Sequence, residues 1–170
     1  MKNNSSQDLI DINKISLHKA KLEDMMDVFN LANDPEVRKN SFNQKQINLE
    51  DHKIWFSKKI CDQNCLLLIS KIDDDFVGSI RFEQDTINQE NYNISIQISK
   101  KFRGKKIAEP LLKLAINEFL KNFKNYNIIA KIKTDNSPSI KIFIKNNFVA
   151  LNENEKENYI SLKYNSFNNI

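Results

Sequence analysis

The stretch from Asn91 to Phe123 constrains the fold most, because the spacing of its apolar residues changes once along it. Between Ile94 and Ile98 every second residue is apolar, which is typical of a β-strand with one buried face. Between Ile107 and Phe123 the apolar residues recur three or four positions apart, which is typical of one helix face. The stretch therefore predicts a strand, a short turn and a long helix.

The turn between that strand and that helix is basic and contains Gly104, one of only two glycines in the chain. The cations around it are Lys100, Lys101, Arg103, Lys105 and Lys106. A helix N-terminus adds unpaired backbone N–H groups and the positive end of the helix dipole. Together these features predict a phosphate site. The alternative is a basic loop that only opens an ordinary strand–helix unit.

The hexamer from Arg103 to Ala108 resembles the pyrophosphate loop of the GNAT acetyltransferases, whose pattern is Arg/Gln-x-x-Gly-x-Gly/Ala. Arg103 and Ala108 match the two ends, and Lys106 stands where the family has glycine. Glycine lets the backbone approach a phosphate closely, whereas lysine still offers its N–H and adds a charge. The resemblance implies that the chain uses acetyl-CoA as cosubstrate. It also implies that the strand before the loop splays from the next strand, which leaves the backbone N–H groups of residues 96–99 free for the cofactor and the thioester carbonyl. The residues implied in the loop and in the preceding strand are Ile96, Gln97, Ile98, Arg103, Gly104, Lys105, Lys106, Ile107 and Ala108.

Length and composition indicate one soluble domain, since the 170 residues are 40% hydrophobic and 28% charged. We expect this domain to span residues 13–164, after a flexible tail at 1–12 and before a frayed end at 165–170. No apolar run approaches the ~20 residues that span a bilayer. The N-terminus lacks the apolar core of a signal peptide, so the cytoplasm is the expected location.

Charge and cysteine content argue against two other classes of site. The net charge of +4 comes from lysines that are interspersed with acids, which is poor support for nucleic-acid binding and suits a polyanion such as CoA equally well. Cys61 and Cys65 are the only cysteines, and two thiols do not complete a zinc site. We therefore expect no metal, and a small-molecule substrate rather than a nucleic acid or a membrane as the partner.

The remaining patterns predict the mixed α/β order β-α-α-β-β-β-α-β-α-β-β. The first helix is expected at residues 22–32, with Val28 beside an apolar face that consists of Leu22, Met25, Met26, Phe29 and Ala32. Asp34 is a candidate cap for a short turn that begins at Pro35, and residues 36–42 are expected to be irregular. Asn48 is a candidate cap for the second helix, and Gly78 is a candidate bulge. This order resembles that of the GNAT family over nearly the whole chain. It implies a single GNAT-like domain, with a central mixed, mostly antiparallel sheet flanked by helices.

A second local resemblance lies at residues 136–148. Asn136 stands where the family has an asparagine that bonds the pantetheine arm of CoA, and Ser139 follows it at the start of the helix. Phe143 occupies the position of a tyrosine that protonates the leaving thiolate in many members, so this side chain cannot donate. Asn147 replaces a glycine at the end of the helix, a change that asparagine tolerates because it adopts the left-handed conformation readily.

Two residues are candidates for removing the proton of the amine that attacks the thioester. His52 carries an imidazole, a group that titrates near neutral pH, and lies in the segment that borders the acceptor site in the family. Its alternative role is structural. Glu83 is the second candidate base, and its alternative is a surface carboxylate on a strand.

The acceptor is suggested by residues 33–42, 52–56 and 77–82, which resemble one GNAT branch. That branch includes acetyltransferases of nonulosonic (pseudaminic) acid pathways, which act on the 4-amino group of a nucleotide-linked deoxy sugar. The residues implied in binding this acceptor are Arg38, Asn40, Phe42, His52 and Arg81. Arginine binds phosphate in a fork, asparagine binds hydroxyls, and an aromatic ring can stack on a ring of the substrate.

The leading hypothesis is thus an acetyl-CoA-dependent N-acetyltransferase that acts on an amino sugar nucleotide by direct attack in a ternary complex. One alternative keeps the fold and takes a protein N-terminus, as in ribosomal-protein acetyltransferases. Another is a GNAT-like module that binds acyl-CoA without turnover, and Lys106 and Phe143 keep it open. A homodimer is also left open.

Overall fold

A computed structural model describes residues 11–151 and 158–166 of the chain, and it centres on one seven-stranded sheet. The strand order is β1-β2-β3-β4-β5-β7-β6, and only the β4–β5 pair is parallel. The strands are β1 Ile15–Lys19, β2 Cys65–Ile72, β3 Asp75–Gln84, β4 Asn91–Ile98, β5 Asn127–Lys133, β6 Phe148–Ala150 and β7 Tyr159–Tyr164.

Helices cover both faces of this sheet. They are α1 Met25–Ala32, α2 Pro35–Asn40, α3 Leu49–Cys61, α4 Ala108–Asn122 and α5 Ser137–Lys145. Alternate residues of β2 belong to different apolar clusters: Leu68 packs with α4 and α5, whereas Leu67 and Ile69 pack with α1 and α3. Since successive strand residues point to opposite faces, the sheet separates the two helix layers. The predicted single mixed, mostly antiparallel α/β domain is confirmed.

Helix α2 is an addition to the predicted order, and the prediction that residues 36–40 are irregular is wrong. The Asp34 carboxylate accepts hydrogen bonds from the N–H groups of Glu36 and Val37, at 3.0 and 3.2 Å, and Pro35 stands in the first turn. A cap and a proline at the first position start a helix even where no apolar periodicity marks it. Asn48 caps α3 as predicted, with Glu50 N–H at 2.8 Å.

The predicted apolar face of the first helix is right in part. Val28 and Ala32 are buried and Met25 packs on the core, whereas Leu22 and Met26 are exposed and the buried Leu31 was not predicted. Residues Leu22–Asp24 form a separate 3-10 turn, which changes the phase of the helix that follows. Because apolar residues occur all around this segment, periodicity alone fits more than one face.

Gly78 lies at a β-bulge, as predicted. The register of β2 against β3 shifts between Ser70 and Lys71, which leaves Val77 as the extra residue. A Cβ atom on Gly78 would lie 2.1 Å from the carbonyl oxygen of Gln97, so only glycine allows β3 and β4 to pair this closely.

Strands β4 and β5 separate after a short parallel contact. β4 pairs with β5 only from Asn91 to Asn93, and among the described residues no strand pairs with β4 on that side beyond Asn93. We call the gap between residues 94–98 of β4 and 130–133 of β5 the cleft. Because the two strands are parallel, the loops that follow them meet at the mouth of the cleft.

The described residues extend slightly beyond the predicted domain limits of 13 and 164. Residues 1–10 and 167–170 of the predicted tails lie outside the described residues. Asp11, in contrast, accepts a hydrogen bond from Asn13 N–H at 3.0 Å and caps a 3-10 turn at Ile12–Lys14. Asn165 N–H donates to the Asn147 carbonyl at 2.9 Å. No helix in the described ranges is long and apolar enough to cross a membrane.

Candidate active site

The loop between β4 and α4 has two residues in the left-handed conformation. They are Gly104, with φ of 72°, and Lys106, with φ of 58°. A left-handed conformation costs a residue with a Cβ atom roughly 1–2 kcal/mol, and this cost accounts for the glycine that the loop pattern carries at the position of Lys106. A Cβ atom on Gly104 would meet no heavy atom within 4 Å, so the requirement there is conformational rather than steric.

The N-terminus of α4 is open to an anion. Ile107 precedes the helix and makes no side-chain capping bond, so the N–H groups of Ala108 and Glu109 have no cap within the described part of the chain. The nearby acid Glu109 forms an ion pair with Lys145 at 3.2 Å. Lys105 and Lys106 are both exposed beside the helix end. These features fit the diphosphate of a CoA molecule.

The backbone of β4 is only partly directed at the cleft. Ser99 N–H donates to the Val77 carbonyl at 2.8 Å, and the Gln97 carbonyl faces Gly78, so these residues bond toward β3. The prediction of free N–H groups throughout this segment is therefore wrong for Gln97 and Ser99. Because the direction alternates along an antiparallel strand, the backbone groups of Ile96 and Ile98 point into the cleft.

The residues predicted after β5 have mixed placements. The Asn136 side chain caps α5 by accepting from Ser139 N–H at 3.3 Å, which places both residues at the end of β5 beside the cleft. Phe143 is 2% exposed and packs edge to face on Phe148 at 4.9 Å. The side chain of Phe143 thus lies in the core. Asn147 is left-handed, with φ of 65°, as predicted.

Arg103 turns its side chain toward α2. Its Nε donates to the Ile98 carbonyl at 2.8 Å, and its terminal nitrogens pair with Asp34 at 2.8 Å and Glu36 at 3.0 Å. Burial would raise the pKa of Asp34, but the Arg103 guanidinium and the N–H groups of Val37 and Glu36 outweigh it and hold the pKa below its usual value. The loop pattern gave no indication of these contacts, because Asp34 and Glu36 are far away in sequence.

Helix α2 is held at its other end as well. Lys133, the last residue of β5, donates its Nζ to the Lys39 carbonyl at 2.9 Å. Just beyond α2, Phe42 meets Tyr159 of β7 edge to face, with ring centroids 5.5 Å apart. Sequence reasoning missed Lys133 and Tyr159 as site residues, because neither belongs to a recognisable local pattern.

The predicted acceptor residues on α2 bond mainly within their own segment. Arg38 donates to the carbonyls of Asn43 and Lys45, at 3.0 and 3.3 Å, and to Ser41 Oγ at 3.1 Å. Asn40 donates to the Glu36 carbonyl at 3.0 Å. Arg38 therefore shapes the turn after α2, and Phe42, 57% exposed, is the member of this group that faces solvent.

Arg81 and Glu83 lie on β3 in a separate group. Glu83 pairs with Lys59 at 2.7 Å and with Arg81 at 3.2 Å, while the Arg81 guanidinium lies over Trp55 at 5.4 Å. Glu83 lies opposite Asn93, whereas Gly78 lies opposite Ile98 at the end of β4. At about 3.3 Å per residue, Glu83 is therefore about 16 Å along the strand from the end of β4, after which the basic loop begins.

His52 lies on α3 and is buried where α3 packs against α1. Its side chain is 2% exposed, its Nε2 lies 3.3 Å from the Met25 carbonyl, and aromatic rings surround it. These rings belong to Phe29, Trp55 and Phe56. Burial lowers the pKa of His52, against the opposing effect of the Met25 carbonyl. This geometry favours the structural alternative for His52 over the role of a base.

Comparison with a family model gives one match, to the acetyltransferase (GNAT) domain over residues 14–149. No curated protein matches the sequence significantly. In the part of the chain that the structure describes, no group of three or more His, Cys, Asp or Glu side chains is arranged to hold a metal ion.

Solved structures with the same fold include three acetyltransferases. A spermidine N-acetyltransferase from Vibrio cholerae, in complex with CoA and spermine, has a TM-score of 0.78 and 14% identity, over 89% of this chain and 94% of that chain. A putative acetyltransferase from Salmonella typhimurium with its cofactor acetyl-CoA has a TM-score of 0.70 and 15% identity, over 89% of this chain and 91% of that chain. A putative phosphinothricin N-acetyltransferase has a TM-score of 0.67 and 22% identity, over 88% of this chain and 95% of that chain.

Proposed function

Because the chain belongs to the GNAT acetyltransferase family, whose members transfer an acetyl group from acetyl-CoA, we propose that its acceptor is the 4-amino group of a nucleotide-linked deoxy sugar. The observation that carries this proposal is the charge at the mouth of the cleft. Lys39 and Lys133 lie there beside the Phe42–Tyr159 ring pair. Of the acids near the mouth, Asp34 and Glu36 are paired with Arg103, and Asp135 lies in the exposed loop after β5. A basic mouth with an exposed ring suits an anionic acceptor that carries a base and a sugar.

Different residues of the cleft would bind acetyl-CoA and stabilise the negative charge that develops during acetyl transfer. The uncapped N–H groups of Ala108 and Glu109, with Lys105 and Lys106, would hold the diphosphate of acetyl-CoA. Acetyl-CoA supplies the thioester that the amine attacks. The backbone N–H groups of Ile96 and Ile98 point into the cleft, where they can stabilise negative charge that develops on the carbonyl oxygen.

Proton transfer is assigned to solvent rather than to a buried side chain. His52 is enclosed by aromatic rings, Glu83 is paired with Lys59, and Phe143 has no proton to donate. The mouth of the cleft is the route by which water would accept the amine proton and protonate the thiolate.

Calorimetry with acetyl-CoA tests the cofactor half of the proposal. We expect micromolar binding by the parent and loss of at least tenfold in affinity for Gly104→Glu, which puts a side chain and a negative charge at a left-handed position. Thr86→Glu adds the same charge on an exposed turn at the other end of β3 and β4, so it should bind like the parent. Absence of binding by the parent would reject the enzyme and favour a degenerate fold.

A panel of amines tests the acceptor half. The panel contains a UDP-linked 4-amino-4-deoxy sugar, spermidine and a peptide with a free N-terminus. The proposal expects the highest kcat/KM for the nucleotide sugar. Preference for the peptide would favour the protein N-terminal alternative. Binding of acetyl-CoA without turnover of any amine would favour the non-catalytic module.

A further inference from the structure

Helix α2 lies across the mouth of the cleft and is anchored to both of its walls. At its N-terminal end, Asp34 and Glu36 pair with Arg103, which follows β4. At its C-terminal end, the Lys39 carbonyl accepts from Lys133, the last residue of β5. The two anchors therefore come from the two strands that separate to form the cleft.

The Arg103 side chain makes three contacts. Its Nε and Nη1 donate hydrogen bonds to the Ile98 carbonyl and to Glu36, its Nη2 forms an ion pair with Asp34, and the side chain is only 21% exposed. A guanidinium presents five N–H donors in one plane, so one arginine can join a strand carbonyl and two carboxylates in a fixed geometry. The Asp34 carboxylate adds two backbone N–H bonds from α2, which connects the same network to the helix backbone.

We propose that Arg103 is a positioning residue for the acceptor side of the site, and that it couples the cofactor loop to α2. The coupling half of this inference rests on the proposed cofactor site. Arg103 is the first residue of the loop that surrounds the left-handed Gly104 and Lys106. A bound diphosphate fixes this loop, and the fixed loop holds Asp34 and the start of α2. Coupling between two sites is reciprocal, so an acceptor that orders α2 also strengthens cofactor binding.

Hydrogen exchange of the amides at residues 36–40, measured on the protein without ligand, tests the anchor. We expect about tenfold faster exchange in Arg103→Met than in the parent, because the ion pairs that hold α2 are lost. Asp34→Asn should give a similar increase, since asparagine still caps the helix and removes only the charge that pairs with Arg103. The double variant should exchange no faster than either single variant, because both remove the same interaction.

Lys101→Met is the matched control, because it removes a neighbouring cation whose ion pair with Asp75 is exposed. Its exchange at residues 36–40 should equal that of the parent. A melting temperature within a few degrees of the parent excludes general unfolding of Arg103→Met. If Arg103→Met fails to fold, Asp34→Asn decides the question alone. Parent-like exchange of α2 in the folded variants would overturn the anchor.

Addition of CoA tests the coupling. In the parent, saturating CoA should slow exchange at residues 36–40 by at least threefold. In Arg103→Met, CoA should bind within about threefold of the parent affinity, because backbone groups hold the diphosphate, yet should leave α2 exchange unchanged. Equal protection of α2 by CoA in both proteins would overturn the coupling. If CoA does not bind the parent, the coupling falls together with the proposed function, whereas the ligand-free comparison still decides the anchor.

Discussion

One residue of the loop between β4 and α4, Lys106, is conformationally strained, and the sequence pattern already indicated this position. Lys106 stands where the loop pattern has glycine, and its φ of 58° shows why glycine is usual there. Asn147 was placed correctly by the same reasoning. The direction of the N–H groups of Gln97 and Ser99 was not predicted correctly, because it depends on which side of β4 bonds to β3, and residue types do not determine that.

Lys106→Gly should stabilise the protein by about 1 kcal/mol, because glycine adopts the left-handed conformation without the Cβ penalty. Urea unfolding measures this change, with an m value equal to that of the parent. Lys105→Gly is the control, since Lys105 is not left-handed and the substitution should only add entropy to the unfolded chain. Equal destabilisation by both substitutions would contradict the strain at Lys106.

His52→Phe should change the pH dependence of stability but not that of catalysis. Burial lowers the pKa of His52 in the folded state, so the unfolded chain binds more protons below pH ~6.5. The free energy of unfolding of the parent therefore decreases as the pH falls from about 6.5 toward the lowered pKa, and this decrease should be smaller in His52→Phe. The kcat/KM–pH profile should keep its shape. A profile that loses an inflection near neutral pH would restore His52 as the base.

At the scale of elements, the predictable parts were those with a clear hydrophobic period. The predicted order contains β5, because its apolar run is flanked by polar residues on both sides. Helix α2 was missed because six residues without apolar periodicity give no helix signal apart from Asp34 and Pro35. The contacts that make α2 part of the site, from Arg103 and Lys133, join residues that only the tertiary fold brings together.

Phe42→Ala should raise the KM for the nucleotide-linked sugar about tenfold and leave the Kd for acetyl-CoA unchanged. The Phe42 ring is 57% exposed and meets Tyr159 at the mouth of the cleft, where it offers a stacking surface to the acceptor. Steady-state kinetics and calorimetry measure the two constants. Ile87→Ala is the control, because Ile87 is 95% exposed on a turn at the other end of the sheet. Equal effects of both substitutions would remove Phe42 from the acceptor site.

For the whole molecule, the order of elements predicted the sheet, but the cleft depends on how far two strands pair. β4 and β5 are separated in sequence by α4 and pair over only three residues each. The lengths and composition of the strands do not specify where their pairing stops, so the cleft was expected only from the family resemblance. The net charge of +4 also says little about function, because function depends on which cations the fold brings together at one edge of the sheet.

The preference between acceptors depends on the cations at the mouth of the cleft, which the fold brings together from different elements. Lys39→Glu should raise the KM for the UDP-linked sugar about tenfold and lower the KM for spermidine, because the substitution reverses a charge at the mouth of the cleft. Both changes should shrink in 0.5 M salt, where screening shortens the range of the interaction to a few ångströms. Lys113→Glu makes the same charge reversal at an exposed position of α4 and should alter neither KM. If both substitutions change the two KM values equally, the total charge governs the preference, and the basic mouth no longer supports an anionic acceptor.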